Sequence, residues 1–363
     1  DRHVRGPYHD EDRLAMVERA LDRIDRGDDG RRAQLLSARA GELLFTPEHD
    51  LRRHLADEAL ALARSIGDRE VLGVVLSQRS HGLDALDGPA LDRALVDLAE
   101  GIDLAEELGR RDLLCHGYLG RAAGLVVRGS RDEGEADLRR AEDLARELRD
   151  AELEERTLAQ RTANTLLSGR LDEAEVLLEA LRESEQFHES GNWRSPALAY
   201  RLHYERGTLG ELEELFEALA EANPGVPLYR TALSGIYVMT DRPEQAREHL
   251  RALAADDWAI VPRYPLWSVT IAGAALVAGL TGELEIAAET LEMGKARVDT
   301  ICWTGASYEH PMAMCLATAA AALGRFDDAE ALFAAAIDLC ERAAAPTMVA
   351  DTRAHWASSI LPR

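Results

Sequence analysis

The stretch LGRFDDAEALF, from Leu323 to Phe333, constrains the fold more than any other part of the chain. It reads as the tight corner of a helical hairpin: an Ala-rich helix ends at Gly324, which can adopt the left-handed backbone that closes a helix. Asp327 and Asp328 then place negative charge on the first turn of the next helix, and Ala329 is small enough for the two helices to touch. The same stencil recurs at Gly169 to Ala174 (GRLDEA), Asp241 to Ala246 (DRPEQA) and Gly282 to Ala287 (GELEIA), with looser copies at Gly129 and Gly207. A corner that repeats in this way predicts an array of helical hairpins.

The rest of the chain fits that reading. Hydrophobic residues make up 46% of the sequence but aromatic ones only 5%, so the core must be largely Ala and Leu, which suits close-packed helices better than sheets. From Glu11 to Arg26, apolar Leu14, Val17, Leu21 and Ile24 recur at helical spacing, which predicts a lead-in helix within residues 1–30. Residues 31–363 divide into helical pairs closed at Gly67 and Gly109, then pairs that turn at Gly129, Gly169, Gly207, Asp241, Gly282 and Gly324. Corners fall roughly 34 to 42 residues apart, at or above the tetratricopeptide period, so the expected fold is all-α, a right-handed superhelix of about eight such hairpins.

The tetratricopeptide template puts Ala317 and Ala329 at its small positions in the last unit, and Ala275 and Ala287 in the unit before. At Gly207 it fails, because Tyr200 and Leu212 stand where small residues belong, and irregular packing is expected there. The chain ends after what reads as a first helix, Thr347 to Leu361, with no second helix following. Together with the missing N-terminal Met, this predicts a segment truncated at its C-terminal end and taken from a longer protein.

Charge and cysteine usage exclude several functions. The 66 acidic residues against 42 basic ones give a formal charge of -24, a field that repels phosphate backbones and argues against direct nucleic acid binding. The 4 cysteines are scattered, so disulfide staples are not expected and a reducing cytoplasm is the simplest compartment. The longest apolar stretch, Trp267 to Leu280, is too short for a bilayer and carries Ser268, Thr270, Gly273 and Gly279, so it reads as a buried helix and no membrane contact is expected.

No constellation for catalysis emerges. The GK pair at Gly294 and Lys295 has Glu289 where a P-loop opens and Ala296 in place of the Mg-binding hydroxyl. Acidic pairs such as Glu106 with Glu107, or Asp256 with Asp257, fall on polar helix faces and helix ends and read as solvated surface. Cys302, His310 and Cys315 lack the close ligand spacing of a zinc site and read as core residues, so neither a metal nor a cofactor is expected.

Binding candidates concentrate in one region. The template directs Arg194, Arg201 and Tyr204, then Leu228, Thr231 and Val238, then Val269 and Leu276, toward the concave face lined by the first helices. Trp193, Tyr229, Tyr237, Trp267, Trp303, Tyr308 and His310 are expected at or near first helices of the same region. Aromatics with an Arg pair could form a pocket, or they could plug gaps between helices that lack small residues. If Arg201 and Tyr204 belong to a pocket, exchanging both for alanine should weaken binding and leave thermal unfolding nearly unchanged.

The segments LADEALALARSIGDREVL (Leu55 to Leu72), YERGTLGELEELFEALAEANPGVPLYRTALSGIYVMTDRPEQAREHL (Tyr204 to Leu250), ALAADDWAIVPRYPLW (Ala252 to Trp267) and LGRFDDAEALFAAAIDLCERAAAPTMVADTRAHWASSIL (Leu323 to Leu361) carry a resemblance. With the array around them, the chain resembles the tetratricopeptide-like (MalT-like) repeat region of large actinobacterial regulators. The MGKARVDTIC corner from Met293 to Cys302 departs from the apolar, Gly-bearing helix end of that family. In those regulators an ATPase module, sometimes with an adenylate cyclase domain, precedes the repeats and a LuxR-type DNA-binding domain often follows. The resemblance implies a non-catalytic sensor arm that binds a protein partner or small effector and passes occupancy to attached ATPase and output domains. A freestanding scaffold for protein interaction and an enzyme of unfamiliar class are the alternatives.

Overall fold

The computed structural model describes residues 11–25, 27–44, 46, 48–78, 88–185, 194–258, 261 and 266–360. Eighteen α-helices and one short β-ribbon are found among them. Helix α1 (Glu11–Arg23) leads into α2 (Asp29–Glu42), α3 (His49–Ile66), α4 (Arg69–Gln78) and α5 (Gly88–Leu108). Next come α6 (Arg111–Val127), α7 (Arg131–Leu148), α8 (Ala151–Leu167), α9 (Leu171–Glu185), α10 (Arg194–Arg206) and α11 (Glu213–Ala222). Then follow α12 (Pro227–Met239), α13 (Pro243–Trp258), α14 (Trp267–Thr281) and α15 (Leu284–Gly294). Strands β1 (Ile301–Trp303) and β2 (Tyr308–Pro311) precede α16 (Met312–Ala322), α17 (Phe326–Arg342) and α18 (Pro346–Ile360).

The corners are built as their residues require. Gly129, Gly169, Gly207, Gly282 and Gly324 all take positive φ, and so does Asp241 at φ 58°, a conformation that a short polar side chain tolerates. At Gly169 the glycine N–H donates to the Leu166 carbonyl and the Arg170 N–H to that of Thr165, the paired bonds that satisfy a helix end. The corners at Gly129, Gly207, Asp241 and Gly324 repeat this pattern. Ala275, Ala287, Ala317 and Ala329 are fully buried, as sites of close helix approach demand.

Consecutive helices pack on each other, and the even-numbered helices form a second set of contacts among themselves: α2 on α4, α4 on α6, α12 on α14, α14 on α16 and α16 on α18. At Gly279 a Cβ would stand 2.7 Å from the backbone of Thr318, so α14 and α16 touch main chain to main chain. The regularity fails after Gly207, where a 3-10 turn (Leu209–Leu212) joins α10 to the short α11. Helices α10 and α12 have little direct contact; Tyr200 fills the space between them, its hydroxyl 2.4 Å from where a Cβ on Gly235 would lie. Only glycine leaves room for that phenol.

One expectation is corrected here. Trp303, Tyr308 and His310 do not lie on helices: they belong to an antiparallel ribbon in which Trp303 pairs with Tyr308 and Ile301 with Pro311. Its turn is held by Gly305 at φ 89° and by the Thr304 hydroxyl, which accepts from the Ala306 and Ser307 N–H groups at 3.2 and 2.8 Å. Aromatic and β-branched residues flanking a Thr-Gly turn favour paired strands over helix.

The ribbon lies mainly against the even-numbered helices α6, α8, α14 and α16, and β2 also meets α17. Around it the C-terminal part of the chain meets the middle. Arg128, at the end of α6, bonds the carboxylate of Asp299, and the corner at Gly129 abuts Leu339 and Arg342 of α17. The next corner, at Gly169, abuts Thr347 of α18.

Candidate functional site

The gap between α10 and α12 opens into a cavity of about 100 Å³. A single water takes roughly 10–15 Å³ on this measure, so there is room for a group of several heavy atoms. Its long walls are apolar: Leu228 and Val238 from α12, and Val269, Ala272, Leu276 and Leu280 from α14. These faces point inward because α12 and α14 are first helices of their pairs and present every third or fourth residue to the same side. Tyr200 and Tyr204 of α10, Phe216 of α11 and Tyr229 of α12 make an aromatic wall. Thr304, Glu309 and His310 of the ribbon and His355 of α18 close the polar end.

A chain of contacts ties this polar end together. The Tyr204 hydroxyl donates to both carboxylate oxygens of Asp351, at 3.0 and 3.1 Å. His310 Nδ1 approaches Asp351 Oδ2 at 3.3 Å, close enough to feel its charge but too poorly aligned for a good hydrogen bond, and its ring meets that of Tyr204 edge-on at 4.8 Å. His355 Nε2 lies 3.5 Å from the other Asp351 oxygen. Arg201, buried behind Tyr204 with its guanidinium 5.2 Å from that ring, pairs with Glu205 one turn along α10.

Burial and charge set the protonation of these groups. Burial by itself would raise the Asp351 carboxyl, but His310, His355 and Arg201 outweigh it and hold that group at about 2. Glu309 behaves in the opposite way: burial pushes it above the ordinary carboxylate value, and the charges of Arg201 and His310 offset this only in part. His355 is held below its usual value by burial, against the pull of Asp351.

Among the sequence candidates, Tyr204, Tyr229 and His310 line the cavity, and Arg201 stands directly behind Tyr204. Arg194 does not reach it and is paired with Glu155 at 2.7 Å. Tyr237 faces away, donating to Glu217 at 3.1 Å under the guanidinium of Arg242. Trp267 packs beneath Arg297 at 4.5 Å, and Trp303 packs on Tyr308 at 4.4 Å with the rings tilted by 37°. Trp193 lies outside the described residues.

Sequence reasoning missed Glu309, Asp351 and His355. Asp351 and His355 are one helical turn apart on α18, the first helix of its unit, so the template that pointed Leu276 inward could have pointed them inward as well. Glu309 carried no helical signal, because it stands on a strand. Among the described residues no three His, Cys, Asp or Glu side chains are gathered as metal ligands, and all four cysteines are buried thiols. No described helix is long and apolar enough to cross a membrane. No protein-family model matches the chain, and no curated protein matches it.

Proposed function

We propose that this chain is a non-catalytic sensor module, a right-handed superhelix of about eight tetratricopeptide-like hairpins that binds a small effector on its inner face. The observation that carries the reading is the cavity at the α10–α12 gap, apolar along its length and polar at one end, the usual division of labour in a small-molecule site. The β-ribbon already covers part of the even-helix face, which favours a small effector over an extended protein segment lying along it. Tyr204, His310 and Asp351 at the cavity end are engaged in holding α18 to α10 and to β2, which supports a binding role over catalysis.

On this reading, occupancy passes to ATPase and output domains in a longer cytoplasmic protein. A ligand that binds better when α18 and the ribbon are closed over the cavity shifts the population toward that closed form, which is all that transmission requires. The test is a thermal-shift screen of a metabolite library on the purified chain, repeated on Leu276→Trp, whose indole would fill the cavity. A ligand that stabilises the native chain should leave the variant unmoved. Equal stabilisation of both by every hit rules the cavity out as the site.

A further inference from the structure

The chemistry of the cavity end narrows the class of ligand. Among the described lining residues there is one carboxyl, Glu309, two imidazoles, and no lysine or arginine. Glu309 is only 7% exposed and forms no ion pair with a described residue, whereas its charged neighbours are already engaged. Arg201 is paired with Glu205 through Nη2, its Nη1 making no hydrogen bond to a described residue, and Asp351 is occupied by Tyr204, His310 and His355. The buried end thus holds three carboxyls, on Glu205, Glu309 and Asp351, beside one guanidinium and two imidazoles, and Glu309 is the carboxyl that no ion pair with a described residue engages. Four aromatic rings, those of Tyr200, Tyr204, Phe216 and Tyr229, line the same space. Ring faces attract cations, most strongly where water is excluded.

We propose that the cavity binds a small organic cation, an ammonium group on an apolar body, with the charge received by Glu309 and the aromatic wall and the body lodged between α12 and α14. This rests on the effector-binding reading and adds the ligand class to it. Burial raises Glu309 above the ordinary carboxylate value, and a cation beside it favours the ionised form. Binding of the cation therefore tightens as pH rises through the range in which Glu309 ionises.

Isothermal titration of the purified chain with phenethylamine, 2-phenylethanol and 3-phenylpropionate tests this at pH 7. The amine should bind about tenfold more tightly than either of the others. In Glu309→Gln the three affinities should fall within about twofold of one another, and in Leu276→Trp all binding should be lost. If the unaltered chain takes the alcohol or the carboxylate as well as the amine, the cation assignment is overturned while the cavity reading stands. Binding of none of the three probes, or undiminished binding by Leu276→Trp, overturns both. The comparison on the unaltered chain decides the ligand class even if Glu309→Gln folds poorly.

Discussion

Tyr204 and Asp351 lie 147 residues apart and are joined by a 3.0 Å hydrogen bond that fastens α18 to α10 at the edge of the cavity. The acceptor is a carboxylate held near 2 and therefore ionised at neutral pH. Hydrogen bonds to such charged groups contribute about 1.5–3 kcal/mol each. Tyr204→Phe should lower stability by about 2 kcal/mol, and a double-mutant cycle with Asp351→Asn should return a coupling of about the same size. Additive single-mutant losses in chemical denaturation would show that the bond does not hold the two elements together.

The same bond revises what the sequence led one to expect of Arg201 and Tyr204. Arg201 is 3% exposed and ion-paired, so replacing both residues by alanine leaves Glu205 buried without its partner and removes the tie to α18. Breaking a buried pair costs about 3–5 kcal/mol. The double variant should lose many degrees of melting temperature, and a thermal melt unchanged from the parent would contradict the packing described above.

The acidic groups at the cavity end pull stability in opposite directions with pH. Asp351 is depressed from 3.8 to about 2, so its contribution is fully present above the unfolded value and is lost as pH falls through this range; the shift corresponds to about 2 kcal/mol. His355, lowered from its ordinary 6.5, also favours unfolding in acid, because the unfolded chain takes up the proton more readily. Glu309 is raised, so its contribution is present below its unfolded value and declines as pH climbs through the folded one. Glu309→Gln should therefore raise the melting temperature at pH 8 and leave it nearly unchanged at pH 4, whereas Asp351→Asn should destabilise at pH 7 and little at pH 2. Melting curves of the two variants across this range check both signs.

The corners offer a test of backbone conformation alone. Asp241 occupies a left-handed position that its neighbours in the series give to glycine, so Asp241→Gly should be neutral to stabilising by up to about 1 kcal/mol. Gly169→Ala should destabilise by about 1 kcal/mol or more, since the alanine is strained at φ 75° and its Cβ would stand 3.1 Å from Thr347. Chemical denaturation of the two variants should move the midpoint in opposite senses, or leave it unmoved for Asp241→Gly.

The shape of the cavity depends on Gly235. An added methyl would meet the Tyr200 hydroxyl at 2.4 Å and drive the ring from its seat between α10 and α12. Gly235→Ala should cost about 1–3 kcal/mol and alter any ligand affinity measured at the site, while the far-ultraviolet spectrum stays helical. An unchanged affinity would mean that Tyr200 does not shape the wall.

Local features were the most legible part of the sequence. Corner glycines followed by acidic first turns encode their own helix ends, and the inward positions at Leu228, Thr231, Val238, Val269 and Leu276 follow from the period of the helix. The misfit at Tyr200 was visible as a bulky residue at a small site, and the cavity opens there. The repeat pattern groups Tyr237, Trp267 and Trp303 with Tyr204 at or near first helices of one region, yet each turns to a different layer, toward Glu217, Arg297 and Tyr308 respectively. The ribbon and the meeting of α18 with α10 were not legible. Both depend on contacts between residues far apart in the chain, such as Tyr204 and Asp351, which have no signature in any one segment.

A linear stack of helical hairpins, in which each unit touches only its neighbours, can fray from either end at little cost to the middle. This chain lacks that freedom over its C-terminal two-thirds. The ion pair between Arg128 and Asp299 and the bond between Tyr204 and Asp351 close long loops, so the last helices cannot detach without loosening α6 and α10. Helices α6 to α18 should accordingly melt as a single cooperative unit, and amide exchange in α10 should be as slow as in α16.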